Sequence, residues 1–248
     1  MKVIFHQDFY QVYSSDPASA PGRMEAIVHA IGKRHEIIPA ISAAEDDIAA
    51  VHKERHIEQV KREGVYEIAA LAAGGAIQAA TIGLKEPAFA LIRPPGHHAS
   101  ENSAWGFCYF NNMAIALTHL LKKELIRTAS VLDFDLHYGD GNVNIMGSLD
   151  HIAIYNPSAA DRNHYLRSVM DFLHEQKSDI IGISAGFDNH AEDWGGLLLT
   201  EDYREMGIMV KNTAARIGAG YFAVLEGGYN HRVLGKNVMA LLDGMEGK

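Results

Sequence analysis

The feature that most constrains the fold is an alternation between short, continuous apolar runs and longer amphipathic segments. Continuous apolar runs are typical of strands that are covered on both faces. Six of them are predicted as strands: Val3–His6, Ala88–Ile92, Ser130–Leu136, His151–Tyr155, Ile180–Ser184 and Phe222–Leu225. The segments between them are predicted as helices: Gly22–Ile31, Ala44–Arg62, Tyr66–Leu84, Asn112–Lys123, Arg162–Gln176, Glu201–Ile217 and Arg232–Asp243. This alternation predicts a single α/β domain over residues 1–248, with three layers (α/β/α) and a mostly parallel sheet.

Composition places the chain among globular domains and excludes several function classes. It has 248 residues, 48% of them apolar, which is enough to bury one large core. Cys108 is the sole cysteine, so intrachain disulfides and Cys-rich zinc modules are excluded. A net charge of −9 argues against nucleic-acid binding, which needs basic patches. Any metal is expected to be held by some of the 14 histidines and by carboxylates.

Signals for membranes or export are missing from the sequence. It contains no run of eighteen or more apolar residues, so no transmembrane helix is expected. The N-terminal segment MKVIFHQDFY is typical of a strand and lacks the basic-then-apolar layout of a signal peptide. We therefore expect a cytoplasmic protein without a membrane partner.

Polar residues follow four of the predicted strands at the point where each strand ends. They lie in the segments RPPGHHA (93–99), DFDLHYGDG (133–141), AGFDNH (185–190) and EGGY (226–229). Each segment has glycines near a His, Asp or Tyr, which allow close backbone approach. Ligands of open parallel sheets bind beyond the carboxyl ends of the strands. The sequence therefore predicts one active site at this edge of the sheet.

The end of the third predicted strand offers metal ligands. Asp133, Asp135 and His137 alternate, so on a strand they share one face, where unpaired polar groups are costly. A metal site is favoured over a capped Asp-Gly turn on this ground. With Asp188, the pair Asp135 and His137 gives three ligands and an open position, as in a catalytic zinc centre. A dinuclear manganese site is the rival, and it needs further carboxylates such as Glu192 and Asp193.

Two further segments offer groups for acid–base chemistry. His97 and His98 are adjacent, so their side chains diverge and take different roles, one as a base toward water and one as a proton donor. Asp133 and Asp140 are candidate carboxylates behind them. Tyr229 follows two glycines at a strand end and is a candidate donor to a developing oxyanion. Taken alone, the histidine pair is equally consistent with a structural role, and for Tyr229 alone an ordinary half-buried tyrosine is favoured.

Two sequence features resemble functional motifs but favour structural interpretations. His52 and His56 in HKERH are spaced like the histidines of a zincin, but the glutamate is at the third position, between charged neighbours. We expect a solvated helix face there. Cys108 lies between two aromatic residues and is expected to be a small buried hydrophobe.

Five segments together resemble the zinc-dependent histone deacetylase family, which includes acetylpolyamine amidohydrolases, and its bacterial, class II-like branch in particular. They are RPPGHHA (93–99), GFCYFNNMAIA (106–116), LDFDLHYGDG (132–141), SAGFD (184–188) and LEGGY (225–229). Weaker similarity at 20–23, 51–60 and 66–80 extends the resemblance over nearly the whole chain, in the order of the family. The resemblance implies an arginase/deacetylase-like fold and hydrolysis of an acyl amide with one zinc ion per chain.

The resemblance also implies a role for each matching residue. The implied zinc ligands are Asp135, His137 and Asp188. The implied proton-transfer groups beside the metal-bound water are His97 with Asp133 behind it, and His98 with Asp140 behind it. Substrate contacts are implied for the Tyr229 hydroxyl, the Gly106 carbonyl and the Phe107 ring. Arg23 matches the arginine that lines an internal channel below the metal.

Two departures from the family concern the substrate rim. Only Arg62–Val65 stands where the family has a substantial loop with an acid that grips the substrate. After Tyr155 the chain passes through Asn156–Ser158 almost directly to a helix, whereas the family has a long aromatic segment that forms the second channel wall. The usual hydroxyl ligand for a potassium ion is lost with it, which leaves potassium open. We expect a pocket that is shallower, or completed by another subunit of a homo-oligomer.

The leading hypothesis is a zinc-dependent amidohydrolase that removes an acetyl or related acyl group from acetyl-lysine, an acetylpolyamine or another acylated amine. A ureohydrolase-like manganese enzyme is the alternative with a similar strand end, but the His97–His98 pair and Tyr229 argue against it. A sensor that binds an acyl ligand or a metal, with weak activity, is the alternative from another class.

Overall fold

One parallel sheet forms the centre of the molecule. The structure is a computed structural model that describes residues 1–248. Its strands are β1 (Lys2–Phe5), β2 (Glu36–Pro39), β3 (Ala88–Ala90), β4 (Ala129–Asp133), β5 (Ile152–Tyr155), β6 (Ile180–Ala185) and β7 (Gly220–Leu225). They pair in the order β2-β1-β3-β7-β6-β4-β5, and every pairing is parallel. The predicted parallel sheet is confirmed, and β2 is a seventh strand that the sequence did not predict.

Nine α-helices cover the sheet. They are α1 (Arg23–Ile31), α2 (Glu45–Ala49), α3 (Glu54–Arg62), α4 (Tyr66–Gly83), α5 (Asn112–Lys122), α6 (Asp140–Met146), α7 (Arg162–Glu175), α8 (Thr200–Ile217) and α9 (His231–Glu246). Helices α1, α9, α8 and α7 contact one another in sequence, whereas α4 and α5 form a separate pair. The two groups cover the two faces of the sheet, which gives the predicted three-layer α/β/α domain.

The central strands are buried on both faces, as their composition predicts. Every residue of β3, β4 and β6 is buried, and their apolar side chains join one continuous core with the helices. The alanine-rich α4 packs closely against the rest of the chain, since a Cβ added at Gly74 would lie 1.8 Å from the Ile41 carbonyl oxygen. No helix is both long enough and apolar enough to cross a membrane.

Two predicted boundaries differ from the structure near the site. The predicted strand Ser130–Leu136 ends at Asp133, so Asp135 and His137 lie in the loop after β4 and not on a strand face. The predicted helix Ala44–Arg62 is interrupted between α2 and α3, at residues 50–53. His52 lies in this interruption, and its side chain is buried.

Candidate active site

The site lies beyond the carboxyl ends of β3, β4, β6 and β7, which are neighbours in the sheet. The loop after each of these strands carries the residues that the sequence singled out. Because the strands are parallel, all four loops leave the sheet at the same edge. The expected convergence of these segments is therefore present in the fold.

The candidate metal ligands Asp135, His137 and Asp188 come together. Their ligand atoms all lie within 4.8 Å of one another. His137 Nδ1 is 3.2 Å from Asp135 Oδ1 and 2.9 Å from Asp188 Oδ2. Both carboxylates are buried, whereas His137 is partly exposed and faces the cavity. Two carboxylates and one imidazole, open to solvent on one side, are a donor set suited to a catalytic divalent cation.

The charge at this centre also fits a cation. Asp188 Oδ2 is buried, and its 2.9 Å contact with His137 Nδ1 lacks the geometry of a hydrogen bond. Burial, together with the nearby Asp135 charge, raises the pKa of Asp188 to about 6. The neighbouring Asp135 and Asp188 carboxylates raise the pKa of His137 to about 10. A proton on the imidazole partly compensates two buried carboxylates here, and a divalent cation would do so more completely.

Two glycines make room for the carboxylates. A Cβ added at Gly186 would lie 2.1 Å from Asp135 Oδ2, and one added at Gly227 would lie 2.6 Å from the same oxygen. The backbone N–H of Gly227 also donates a hydrogen bond of 2.8 Å to it. The centre is thus built by close backbone approach, which only glycine permits at these two positions.

The tandem histidines lie beside this centre, each with a carboxylate at Nδ1. His97 Nδ1 is 3.2 Å from Asp133 Oδ2, and His98 Nδ1 is 2.7 Å from Asp140 Oδ1. A carboxylate accepts, so each Nδ1 carries a proton. His97 Nε2 lies 3.7 Å from Asp135 Oδ1, beside the candidate metal ligands. Burial and the neighbouring His97 lower the pKa of His98 to about 4. Burial opposes protonation of His97 too, but Asp135 and Asp133 raise its pKa above the ordinary value.

The remaining predicted residues line one cavity of about 320 Å³ in front of the metal ligands. Gly106 and Phe107 both adopt left-handed backbone conformations, with φ of 59° and 68°, which carry the loop along the cavity wall. Tyr229 lies opposite, its ring 5.8 Å from that of Phe107. Burial and the Asp135 charge raise the pKa of Tyr229, so its hydroxyl remains a donor.

Arg23 lies behind the cavity. It is fully buried and donates hydrogen bonds to the carbonyl oxygens of Gly228 and Glu226, at 2.8 and 2.5 Å. Its guanidinium also lies 5.5 Å from the centre of the Tyr229 ring. These contacts fix the segment that positions Tyr229.

A buried polar network that the sequence analysis did not assign supports the histidine loop. Glu226 accepts hydrogen bonds from the backbone N–H groups of Gly96 and His97, at 2.7 and 3.2 Å, and from the Ser184 hydroxyl. Asn142 donates to Asp133 and to Ser184. Glu226 and Ser184 belong to the quoted segments LEGGY and SAGFD, so the signal was in the sequence, but their partners depend on the tertiary fold.

Two tryptophans form walls of the cavity that the sequence analysis also missed. Trp105 and Trp194 are the only tryptophans in the chain, and both lie on loops. Each is more than half exposed, and both line the cavity. Trp194 stacks on Tyr229 at 4.2 Å between ring centres. No spacing rule identifies an aromatic residue on a loop, so these two tryptophans could not be recognised from the sequence.

A larger groove of about 610 Å³ opens on the other side of the loop after β4. It is lined by Asn156–Ala160, the short connection between β5 and α7, and by Gly195–Leu197. The connection between α3 and α4 is equally short, with only residues 63–65 between the helices. These are the two places where the sequence predicts a reduced rim.

The expectation of a solvated helix face at HKERH is wrong. His52 and His56 are each only 2% exposed. His52 Nε2 accepts a hydrogen bond of 2.9 Å from the Asn111 N–H, and His52 Nδ1 lies 3.0 Å from the Ser100 carbonyl oxygen. His56 Nε2 lies 2.7 Å from the Tyr109 carbonyl oxygen, so both histidines anchor the segment that carries Trp105. Cys108 is buried as predicted.

Several known proteins resemble this chain over most of its length. A family model for the histone deacetylase domain matches residues 17–165 and 158–245. A probable deacetylase from Archaeoglobus fulgidus is 30% identical over 293 aligned residues, which cover 92% of this chain and 81% of that protein. A histone deacetylase-like amidohydrolase from Pseudomonas aeruginosa is 26% identical, covering 89% and 73%.

Two further matches extend the comparison. The polyamine deacetylase HDAC10 of Danio rerio is 26% identical and covers 95% of this chain, which corresponds to 46% of that protein. The crystal structure of the HDA15 HD domain matches with a TM-score of 0.85 at 23% identity, over 99% of this chain and 89% of that one. The family model spans most of the chain, and the fold match spans nearly all of it. The chain therefore belongs to the histone deacetylase family, a family of amide-hydrolysing deacetylases.

Proposed function

We propose that this protein is a zinc-dependent amidohydrolase that removes an acetyl or related acyl group from an acylated amine such as acetyl-lysine or an acetylpolyamine. One observation carries the proposal: three candidate metal ligands and three candidate proton-handling groups converge on one cavity. They are Asp135, His137 and Asp188, and His97, His98 and Tyr229. Relatives described as a histone deacetylase-like amidohydrolase and as a polyamine deacetylase support this substrate class.

The metal-ligand set fits zinc by the chemistry of its donors. Zinc accepts carboxylate oxygen and imidazole nitrogen, and catalytic zinc sites combine three protein ligands with an open position. When bound by Asp135, His137 and Asp188, such a cation supplies Lewis acidity toward the acyl carbonyl and makes water more acidic.

The two histidines supply the proton transfers. Hydrolysis of the amide forms a carbon–oxygen bond to water, breaks the carbon–nitrogen bond and moves one proton from the water to the leaving amine. In our proposal, the Nε2 atoms of His97 and His98 perform this exchange, one as base and one as acid. Asp133 and Asp140 hold the two rings through Nδ1, which keeps the Nε2 atoms toward the cavity.

Tyr229 and the opposite wall orient the acyl group. The Tyr229 hydroxyl, which stays protonated because of its raised pKa, donates a hydrogen bond to the carbonyl oxygen as negative charge develops on it. The Gly106 carbonyl accepts the substrate amide N–H, and the Phe107 ring packs against the acyl-bearing chain. These contacts hold the amide carbon within reach of both histidines.

We further propose that residues 1–248 form one catalytic domain with shortened rim loops. The alignment with the Archaeoglobus protein spans 293 positions, more than this chain contains, so parts of that protein have no counterpart here. The short connections at 63–65 and 156–161 are where such differences fit. Trp105 and Trp194 supply walls in their place.

The proposal is tested with purified protein on acyl-lysine peptides and acylpolyamines of increasing acyl length. The protein is first stripped with a chelator and then reloaded with Zn²⁺, or with Fe²⁺ under exclusion of oxygen. We expect acid release that needs the metal and is highest with zinc and acetyl substrates. The matched control Asp188→Asn keeps the size of the ligand but removes its charge, and it should be inactive. Activity that survives metal removal, or no activity on any acyl amine, would overturn the proposal.

A further inference from the structure

We infer that Trp105 is a positioning residue that holds the His98–Asp140 pair in its working orientation. The inference rests on the proposed function for its kinetic consequences, but the arrangement itself is a property of the fold.

One carboxylate joins the two aromatic residues. Asp140 Oδ1 accepts a hydrogen bond of 2.7 Å from His98 Nδ1, and Asp140 Oδ2 accepts one of 2.9 Å from Trp105 Nε1. The indole ring lies on the imidazole, with 3.8 Å between ring centres and 31° between planes. Trp105 and His98 are thus bound to each other directly by stacking, and indirectly through the same carboxylate.

The other sides of the His98 ring are also occupied. His97 covers the opposite face, with 4.0 Å between ring centres. At the edge, a Cβ added at Gly106 would lie 2.4 Å from His98 Cδ2. The imidazole therefore lies between two rings and a backbone, and only Nε2 remains free to face the cavity. Removing Trp105 opens the one face of this enclosure that borders solvent.

Asp140 needs a second partner because it is not fully buried. Its side chain is 34% exposed, whereas that of His98 is 3% exposed. A partly exposed carboxylate with one partner can turn toward water, and the histidine then loses its orienting group. Burial raises the pKa of Asp140, but the hydrogen bonds from Trp105 and His98 outweigh this and lower it overall. The Trp105 N–H thus helps to keep the carboxylate both charged and fixed.

A second role for Trp105 has to be separated from the first. Trp105 also lines the cavity, so it contacts any bound substrate. A wall residue acts mainly on substrate affinity and therefore on KM, whereas a residue that orients His98 acts on kcat. The substitution Trp105→Phe distinguishes the two roles, because it keeps an aromatic face for stacking and lining but removes the N–H donor.

The kinetic test is a double-mutant cycle between Trp105→Phe and Asp140→Ala, measured on the best acyl amine found for the wild type. We expect Trp105→Phe to lower kcat about tenfold with KM changed less than about twofold, as loss of an orienting partner does. In the Asp140→Ala background the same substitution should have no further effect on kcat. Trp194→Phe serves as the control, because Trp194 lines the same cavity without bonding to Asp140. Its effect, whatever its size, should be equal in both backgrounds.

The second test does not depend on activity. In ¹⁵N-labelled protein stripped of metal, the Nδ1 proton of His98 is identified by its loss in His98→Gln. Its exchange with water should be faster in Trp105→Phe than in the wild type, since the carboxylate partner becomes mobile. Unchanged exchange would overturn the inference, as would a kinetic effect that is confined to KM or is equally large without Asp140. If the wild type hydrolyses no acyl amine, the proposed function fails, and this exchange measurement alone decides the role of Trp105.

Discussion

Protonation of His52 should destabilise the protein below neutral pH. Burial and the neighbouring His56 lower the pKa of His52 to about 3. The hydrogen bonds give the reason in atomic detail. Nε2 accepts from the Asn111 N–H and so cannot also carry a proton, while Nδ1 donates to the Ser100 carbonyl. A second proton would break the bond to Asn111 and leave a charge in an apolar surrounding.

The size of this effect follows from the difference between the folded and unfolded pKa values. In the unfolded chain this histidine binds a proton near pH 6.5, whereas in the folded protein it does so only near pH 3. Between these two pH values the unfolded state therefore binds more protons than the folded state, and stability falls with pH. The stability that the neutral His52 contributes is retained above pH 6.5 and is lost as the pH falls below it. At pH 5 the loss attributable to His52 is about 2 kcal/mol, from about 1.5 pH units at 1.36 kcal/mol each.

Urea unfolding at pH 8 and pH 5 measures this loss. We expect His52→Gln to be less stable than the wild type at pH 8, by about 1–3 kcal/mol for its lost packing and hydrogen bonds. Between pH 8 and pH 5, however, the variant should lose about 2 kcal/mol less than the wild type. His174→Gln replaces an exposed histidine and should keep the wild-type pH dependence. Equal losses in the wild type and His52→Gln would refute the reasoning.

Four further predictions concern the site. Tyr229→Phe should lower kcat about 10²–10³-fold with metal still bound, measured by kinetics and metal analysis, because it loses an oxyanion donor; near wild-type turnover would contradict that role. Gly227→Ala should lower the affinity for metal while the protein stays folded, because the added Cβ would displace Asp135. Equilibrium dialysis with Zn²⁺ measures the affinity and circular dichroism the folding, and an unchanged affinity would count against the proposed ligand set. Zinc should raise the thermal midpoint of the stripped wild type but not of Asp188→Asn, since ligands that bind only the folded state stabilise it; an equal rise in both would contradict the site. Glu226→Ala should lower the free energy of unfolding in urea by about 2–4 kcal/mol, because two backbone N–H groups lose their acceptor. Glu226→Gln should lower it by less, and equal losses would indicate that packing and not hydrogen bonding stabilises this position.

Most of the sheet could be predicted because the composition of its strands is distinctive. Buried central strands such as β4 and β6 are continuous apolar runs. Their parallel orientation follows from the helices that connect them. Strand β2 was missed because it is an edge strand, mostly exposed, and ends in proline. Helix α6 was missed because its first residues, Asp140 and Gly141, are typical of a turn. In both cases tertiary contacts, and not the local sequence, determine the structure.

The site could be predicted in part, for a related reason. Residues with distinctive chemistry at strand ends, such as Asp135 and His97, are recognisable one at a time, and the parallel topology brings them together. The supporting contacts are different, because a hydrogen bond from Asn142 to Asp133 has no sequence signature. The burial of His52 likewise has no sequence signature. The HKERH pattern is charged throughout, and only the position of the 100–110 loop makes two of its side chains buried anchors.

The buried acids connect the stability of the protein with its function. Asp133, Asp135, Asp188 and Glu226 are each 5% exposed or less, and they lie behind a single cavity. Burying so many carboxylates is costly unless positive charge or hydrogen bonds compensate them. Asp133 and Glu226 are compensated by the chain itself, through His97, Asn142 and backbone N–H groups. Asp135 and Asp188 share one imidazole and leave an oxygen without a hydrogen bond, so their cost is met best by a cation. This imbalance therefore lowers the stability of the fold and, in our proposal, is also what would favour the binding of a metal ion at the site.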